Sequence, residues 1–295
     1  MLSLGPGKIQ TIIFLVHLGA MENELLPVHE LVPPELWERE TWNRVVEHFA
    51  TFPYLQILHL AGGIVVCPSF FSSFTGSLGT SFKNLKELVI EFSPATADGR
   101  WFFQRDDKAI QDARADPQYK EYWDEDWSDH SDSETNSLHS TEGAIRVFGD
   151  EPVGLHLVHW NVFRSLPDIA TFHPFLMGAA KAAGQLQRLE RFLLQVERTG
   201  KTLDFPFTNR YFQVWFLKAG TATTPAIDPL STKFPKVPCD VEYQNQNRLY
   251  WAVGNWQPWK DVHQIWLDAF GPHVKEMFFT EGIWRGDFYE YLEEF

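Results

Sequence analysis

The segment EFSPATADGRWFFQRD, residues 91 to 106, places an acid, a base and an aromatic ring next to one another. Asp98 could exchange a proton, Arg100 could bind an anion, and Trp101 could stack on a flat ligand. Asp98 and Gly99 also form a dipeptide that is typical of tight turns, because both residues adopt turn conformations at low cost. The sequence favours a structural turn over a chemical site. We expect Asp98 or a carboxylate of a neighbouring strand to hold Arg100, and Trp101 to enter the core.

Metal ligands and activated nucleophiles have no recognisable pattern in this sequence. His156 and His159 are the one close pair of histidines, and their spacing in the alternating stretch GLHLVHW puts them on opposite faces of a strand. Cys67 and Cys239 have no ligand-type residues at metal-binding spacing. The chain also contains no Gly-x-Ser-x-Gly elbow and no phosphate-binding Gly-x-x-x-x-Gly-Lys loop. We therefore expect no metal, no cofactor and no catalytic residue.

The aromatic residues leave one enzymatic alternative open. The chain has 12 Trp and 25 Phe, many of them in short strand-like runs such as RLYWAVGNWQPW. Rings of this kind could line a groove for a carbohydrate or another polymer, where two carboxylates would suffice for glycoside hydrolysis. The sequence singles out no such pair of acids. Burial in the core is the favoured interpretation of the rings, and a carbohydrate- or polymer-acting enzyme or binding protein is the alternative.

The negative charge of the chain is concentrated in one segment. The formal net charge is −14, and residues 106–142 hold twelve acids against three bases, a net −9. This composition predicts a mobile, solvated insertion. Trp123 and Trp127 lie among these acids and could instead form a docking stripe for a basic protein partner. No basic stripe is present, so we expect no nucleic acid partner.

Two cysteines and no N-glycosylation sequon favour a reducing compartment, so we expect an intracellular protein, cytoplasmic or nuclear. The apolar stretch KIQTIIFLVHLGA, residues 8 to 20, has some features of a secretory leader. His17 interrupts the apolar run, which favours a buried strand instead. The stretch is too short to span a bilayer, and we expect no membrane partner.

A six-residue frame, apolar-x-x-apolar-x-apolar, recurs along the chain. Its last two apolar positions lie on the same side of a strand, and its first position lies where the chain arrives from another element. Leucine-rich repeats are built in this way. The five copies are Ile9-x-x-Ile12-x-Phe14, Leu55-x-x-Leu58-x-Leu60, Leu85-x-x-Leu88-x-Ile90, Leu189-x-x-Phe192-x-Leu194 and Val274-x-x-Met277-x-Phe279.

Amphipathic helices are predicted ahead of three copies, at residues 35–49, 172–189 and 258–270. Helix, turn and strand repeated in this order predict an α/β fold with mostly parallel strands and the helices behind them. The intervals between copies are irregular, which indicates a curved, incomplete leucine-rich-repeat-like solenoid. We expect residues 1–295 to form a single domain with the acidic insertion within it.

An aromatic β-hairpin is predicted from Tyr211–Gly220 and Arg248–Trp256, because both stretches alternate and are rich in rings. The Thr- and Pro-rich residues 221–238 between them are expected to form the loop at its tip.

Four segments in this order resemble a group of filamentous-fungal F-box-like proteins with degenerate leucine-rich repeats. They are FKNLKELVIEFSPATADGRWFF, FHPFLMGAAKAAGQLQRLERFLL, YFQVWFLKAG and RLYWAVGNWQPWKDVHQIW. In that group a DGRW-like corner precedes an acidic variable insertion, and an aromatic hairpin ends in a pattern like YW-x-VG-x-W-x-P. The matching positions in this chain are Asp98, Gly99, Arg100, Trp101, Trp251, Gly254, Trp256 and Pro258. Their expected role is structural.

The resemblance implies a non-catalytic protein-interaction module, such as the substrate-recognition part of an F-box-type ubiquitin ligase receptor. In F-box proteins an N-terminal helical motif binds a Skp1-type adaptor and the repeats hold the target. This chain departs from the pattern in LLPVHELVPPELW, because Pro33 and Pro34 would break the first F-box helix. Adaptor binding is therefore expected only if an F-box lies upstream.

Overall fold

The structure is a computed structural model, and it describes nine stretches of the chain. They are residues 8–15, 41–75, 82–106, 164–196, 212–222, 241–253, 256–271, 273–280 and 283–285. Most of the acidic insertion and residues 223–238 of the predicted hairpin loop lie outside these stretches. The histidine pair, Cys239 and the departure from the F-box pattern also lie outside them.

The described residues form ten strands, three α-helices and two short 3-10 helices. The α-helices are α1 (Thr41–Ala50), α2 (Phe172–Gln185) and α3 (Lys260–Phe270), which lie in the three predicted places. The 3-10 helices span Phe70–Phe74 and Val241–Tyr243. The strands are β1 (Thr11–Leu15), β2 (Ile57–Val66), β3 (Glu87–Thr96), β4 (Phe103–Arg105), β5 (Arg164–Pro167), β6 (Arg191–Val196), β7 (Gln213–Leu217), β8 (Arg248–Ala252), β9 (Lys275–Thr280) and β10 (Ile283–Arg285).

Eight strands form one sheet in the order β1-β2-β3-β6-β7-β8-β9-β10, and β4 pairs with β5 in a separate ribbon. The strands β1, β2, β3 and β6 are parallel to one another, as are β8 and β9. The pairings β6–β7, β7–β8 and β9–β10 are antiparallel. The predicted α/β class with a mostly parallel sheet is therefore confirmed.

The first four copies of the apolar frame lie side by side in register. Leu58 of β2 is opposite Ile12 on one side and Leu88 on the other, and Leu88 is opposite Phe192. The last position of each copy is aligned in the same way, from Phe14 through Leu60 and Ile90 to Leu194. Equivalent side chains thus share one face of the sheet, as expected for a period of two residues along each strand.

The fifth copy lies in the same sheet, but its last two positions lie on the face opposite to that of the first four copies. Met277 of β9 is opposite Tyr250, and this row leads to Trp215 and Leu193 on the face away from the helices. Phe278 is the residue that packs into the main core. The run Met-Phe-Phe is apolar at every position, so it fits both registers equally well, and a slip of one residue exchanges the two faces.

The helices cover the first face of the sheet. Val46 of α1, Phe175 of α2 and Trp266 of α3 are completely buried and belong to the same core as Leu88 and its row. This face, which we call the helix face, contains the main hydrophobic core. The opposite face, which we call the polar face, contains the buried polar residues His59, Glu87, Glu91, Gln195, Gln213 and Arg248.

The predicted aromatic hairpin is present as the antiparallel pair β7–β8. It is not an appendage, because β7 pairs with β6 and β8 pairs with β9, so the hairpin completes the centre of the sheet. No helix among the described residues is long and apolar enough to cross a membrane.

Candidate functional site

The DGRW segment forms a hydrogen-bonded turn at the end of β3. Gly99 has a φ of 78°, in the left-handed region that favours glycine. The Thr96 hydroxyl donates to Asp98 Oδ1 at 2.6 Å and accepts from the backbone N–H of Arg100 at 2.9 Å. The backbone N–H of Thr96 donates to the carbonyl of Arg100 at 2.8 Å, which closes the turn.

The expected pairing of Arg100 with Asp98 is present. The guanidinium Nε and Nη2 both donate to Asp98 Oδ2, at 3.0 and 2.6 Å. Burial raises the pKa of the Asp98 carboxyl, but the hydrogen bonds from Arg100 and Thr96 outweigh that cost, so its pKa lies below the usual range. The same hydrogen bond to Asp98 raises the pKa of Arg100.

Beside this turn lies a cleft of about 320 Å³. Three segments that are far apart in the sequence build it: the DGRW turn, the start of β5, and the loop before α2. The residues that matter to its chemistry are Gly99, Arg100, Trp101, Arg164, Asp168 and Thr171. Its volume lies near the lower end of the range for small-molecule sites, so it suits one amino-acid side chain better than an extended substrate.

Trp101 is one of the residues that line the cleft. Its side chain is part of a small cluster with Ala95, separate from the main core, so the prediction that Trp101 joins the core with its neighbours is only partly right. Phe102 and Phe103, by contrast, are in the main core. The indole Nε1 of Trp101 is buried and has no hydrogen-bond partner among the described residues. The guanidinium carbon of Arg164 lies 5.0 Å from the centre of the Trp101 ring.

Asp168 and Thr171 fix the opposite side of the cleft at the start of α2. Asp168 Oδ1 accepts from the backbone N–H groups of Ala170 and Thr171, at 2.8 and 3.0 Å. The Thr171 hydroxyl donates to the carbonyl of Trp101 at 2.6 Å and so ties the helix start to the DGRW turn. These groups are therefore already bonded within the protein, and Arg100 and Arg164 are the two cations that line the cleft.

The other sequence-predicted residues are not brought into this cleft. Trp251 is completely buried in the main core on the helix face, Pro258 is buried, and Trp256 packs against the core from its edge. Gly254, Trp123 and Trp127 lie outside the described residues. Tyr250 is 1 % exposed on the polar face, so neither ring of this strand provides the exposed platform that a sugar-binding groove would need.

Sequence reasoning missed Arg164, Asp168 and Thr171. The stretch PDIATFHPF contains a local signal, because Asp and Thr just before an apolar helical pattern are typical of helix starts. The signal says nothing about the DGRW turn, which lies some 70 residues earlier: the bond from Thr171 to Trp101 spans 70 positions.

Three pairs of histidine and carboxylate occur elsewhere in the described residues: His59 with Glu87, His173 with Asp261, and His263 with Glu276. Each pair joins two different elements of the fold, and none of them lines the cleft. No group of three or more potential metal ligands is found among the residues that the structure describes.

Comparisons with known proteins add no relative: no protein-family model, curated protein or solved structure matches this chain.

Replacing Asp98 by alanine should lower the free energy of unfolding at pH 7 by about 1.5 kcal/mol, because both Thr96 and Arg100 lose their bonds to the carboxylate. The folded pKa of Asp98 lies below the usual pKa of 3.8, so its contribution to stability is complete above that pH and is lost as the pH falls through the folded pKa. Urea denaturation at pH 7 and pH 3 measures this. Asp268→Ala is the control, since that acid is exposed and accepts a hydrogen bond from Gln264 within one turn of α3. Equal losses for the two variants would show that Asp98 does not hold the turn.

Proposed function

We propose that this chain is a non-catalytic protein-interaction module, built as an irregular leucine-rich-repeat-like solenoid. Two observations support the repeat interpretation. Four parallel strands present the same apolar frame in register, and the helices pack on the face that those frames share. The resemblance to fungal F-box-like proteins supports the same interpretation.

The cleft beside the DGRW turn is the observation on which the binding function depends. Two guanidinium groups line it: Arg100, which donates to Asp98, and Arg164, which donates to the Phe103 carbonyl and lies over the Trp101 ring. A carboxylate is the strongest acceptor that a protein partner offers, and guanidinium groups match its geometry. The cleft therefore fits an Asp or Glu side chain of a bound protein segment.

A display selection tests this function. A random peptide library is selected for binding to the full chain, with counterselection against the Arg100→Ala/Arg164→Ala double variant. We expect the enriched peptides to contain an acidic residue at a fixed position and to lose about tenfold or more in affinity for the double variant. Arg188→Ala is the control, because Arg188 is exposed and its partner Asn84 is remote from the cleft.

Two outcomes of this selection would contradict the proposal. One is the absence of any enriched sequence above background. The other is a set of peptides that bind the double variant as tightly as the wild type. Thermal unfolding of each variant, measured beside binding, separates a lost contact from a lost fold.

The ligase part of the proposal has its own experiment. We propose that the module recognises substrates for an F-box-type ubiquitin ligase in the cytoplasm or nucleus, with a Skp1-type adaptor as partner if an F-box exists upstream. A purified Skp1-type adaptor should bind the product of the full-length locus at micromolar concentration or below. If the full-length product contains no F-box helix and the adaptor does not bind, the ligase assignment fails while peptide recognition by the cleft stands.

A further inference from the structure

Two large apolar side chains are exposed next to the DGRW cleft, and we call them the apolar pair. Leu166 of β5 is 40 % exposed, and Ile169, in the loop before α2, is 66 % exposed. Among the described residues Ile169 is the most exposed large apolar side chain. Single exposed apolar residues are normal on protein surfaces. This pair differs because it lies beside a cleft that is lined by two guanidinium groups.

The chain places the apolar pair within one short segment of the cleft wall. Residues 164–171 contribute four of the residues that line the cleft: Arg164, Asp168, Ala170 and Thr171. Ile169 lies between Asp168 and Ala170 in the sequence, and Leu166 lies between Arg164 and Asp168. Because consecutive Cα atoms are about 3.8 Å apart, the Cα atom of each member of the pair lies within about 8 Å of those of two lining residues. The apolar pair thus adjoins the cleft.

Hydrogen bonds hold the backbone around Ile169 in place. Asp168 Oδ1 accepts from the backbone N–H groups of Ala170 and Thr171, which follow Ile169. The backbone N–H of Asp168 donates to the carbonyl of Phe102 at 2.9 Å. A turn that is fixed before binding loses little conformational freedom when a partner binds to it. Ile169 is therefore an exposed apolar side chain on a preorganised turn.

The chemistry of the cleft defines the partner. Arg100 and Arg164 bring two positive charges and Asp168 brings one negative charge, so the lining carries a net positive charge. The Arg100 side chain is 51 % exposed, so a ligand can reach its guanidinium. In an extended segment, side chains two positions apart lie on the same side and are spaced by roughly 7 Å. An acidic side chain in the cleft therefore brings the side chain two positions along to the apolar pair.

We infer that the cleft and the apolar pair together bind an extended protein segment in which a large apolar residue stands two positions from the acidic one. This inference rests on the proposed function, because it requires the acid to occupy the cleft. It adds the apolar residue, which the two arginines alone would not select. Contact with Leu166 and Ile169 removes apolar surface of both partners from water, and this favours binding.

A peptide library with a fixed central glutamate and randomised positions on both sides tests this inference. The library is selected for binding to the full chain. We expect Leu, Ile, Met or Phe to be enriched two positions before or after the glutamate. Replacing that apolar residue by serine in a selected peptide should weaken binding about fivefold or more, because its burial against the apolar pair is lost. Replacing the glutamate by glutamine measures the contribution of the acid separately.

Substitutions in the apolar pair supply the matched comparison. Leu166→Ser/Ile169→Ser should weaken binding of the selected peptide about fivefold or more and leave binding of its serine form unchanged. Arg100→Ala/Arg164→Ala should weaken binding of both peptides. Tyr54→Ser is the control and should change neither, because Tyr54 is 54 % exposed and precedes β2, at the opposite end of the sheet from the DGRW turn. Thermal unfolding of each variant separates loss of a contact from loss of the fold.

The two readouts separate this inference from the proposed function. Peptides that require the glutamate but show no apolar preference, or that bind Leu166→Ser/Ile169→Ser as tightly as the wild type, would overturn the inference and leave the proposed function standing. Peptides that bind equally well with glutamine, or the absence of any binding peptide, would overturn both. A dimer of the free chain that the Leu166→Ser/Ile169→Ser variant abolishes would assign the apolar pair to self-association and overturn the inference alone.

Discussion

Glu87→Gln should lower the free energy of unfolding at pH 7 by about 3 kcal/mol. The carboxylate lies between His59 and Arg191 on three adjacent strands, with Glu87 8 % and Arg191 11 % exposed at the side chain. The amide has nearly the same shape, so the variant removes the charge without creating a cavity. Arg191 then remains in the sheet without its anion, and breaking a buried ion pair from one side is strongly destabilising.

The effect of Glu87→Gln should depend on pH. Burial raises the pKa of Glu87, but the hydrogen bond from His59 and the charge of Arg191 outweigh it, so the folded pKa lies below the usual value of 4.5. The contribution of this carboxylate to stability is therefore complete above pH 4.5 and is lost as the pH falls through the folded pKa. The free energies of unfolding of the wild type and the variant should therefore converge as the pH falls below the folded pKa of Glu87.

Chemical denaturation of both proteins between pH 3 and pH 7 measures this difference. Glu190→Gln is the control, because Glu190 pairs with Lys86 at the surface and their side chains are 45 % and 43 % exposed. An exposed pair of this kind is worth less than about 1 kcal/mol. A constant difference for Glu87→Gln at all pH values would mean that its charge does not stabilise the sheet.

Phe175→Ala should cost about 3–5 kcal/mol of unfolding free energy, the largest effect expected of a single core substitution here. Phe175 of α2 is completely buried, and its ring centre lies 4.7 Å from Phe102, 4.9 Å from Phe92 and 5.1 Å from Phe71. These rings come from the segment after the DGRW turn, from β3 and from the 3-10 helix. Removing the ring leaves a cavity where four elements meet.

Denaturation curves of Phe175→Ala and of Tyr54→Ala provide the comparison. Tyr54 is an aromatic residue that is 54 % exposed, and its replacement should change the stability by no more than about 0.5 kcal/mol. A loss below about 1 kcal/mol for Phe175→Ala would mean that the helix does not pack on the sheet at this point.

The frames and helices could be predicted from the sequence because their signal is local. An apolar frame such as Leu85-x-x-Leu88-x-Ile90 predicts which side chains of a strand share a face. A helix predicted ahead of the frame indicates that the helix packs on that face. The frame does not predict which side chains of β9 face the helices, because three consecutive residues of this strand are apolar. Pairing with Tyr250 of β8 then decides that Met277 lies on the polar face.

The candidate site could be predicted only in part. The turn at Asp98 and Gly99 could be predicted from adjacent residues, and so could the hydrogen bonds that Arg100 donates to Asp98. The other half of the cleft comes from Arg164 and Asp168, which lie beyond the acidic insertion and meet Trp101 through the pairing of β5 with β4. No local sequence pattern predicts a contact between segments that are so far apart in the chain.

A double-mutant cycle across the DGRW cleft tests the recognition of an acidic side chain most directly. The affinity of a selected peptide and of its Glu→Gln or Asp→Asn form is measured for the wild type and for Arg100→Ala/Arg164→Ala. We predict a coupling free energy of about 1.5 kcal/mol or more between the acid of the peptide and the two arginines. Additive losses, within about 0.5 kcal/mol, would show that the acid does not bind in this cleft and would contradict the proposed function.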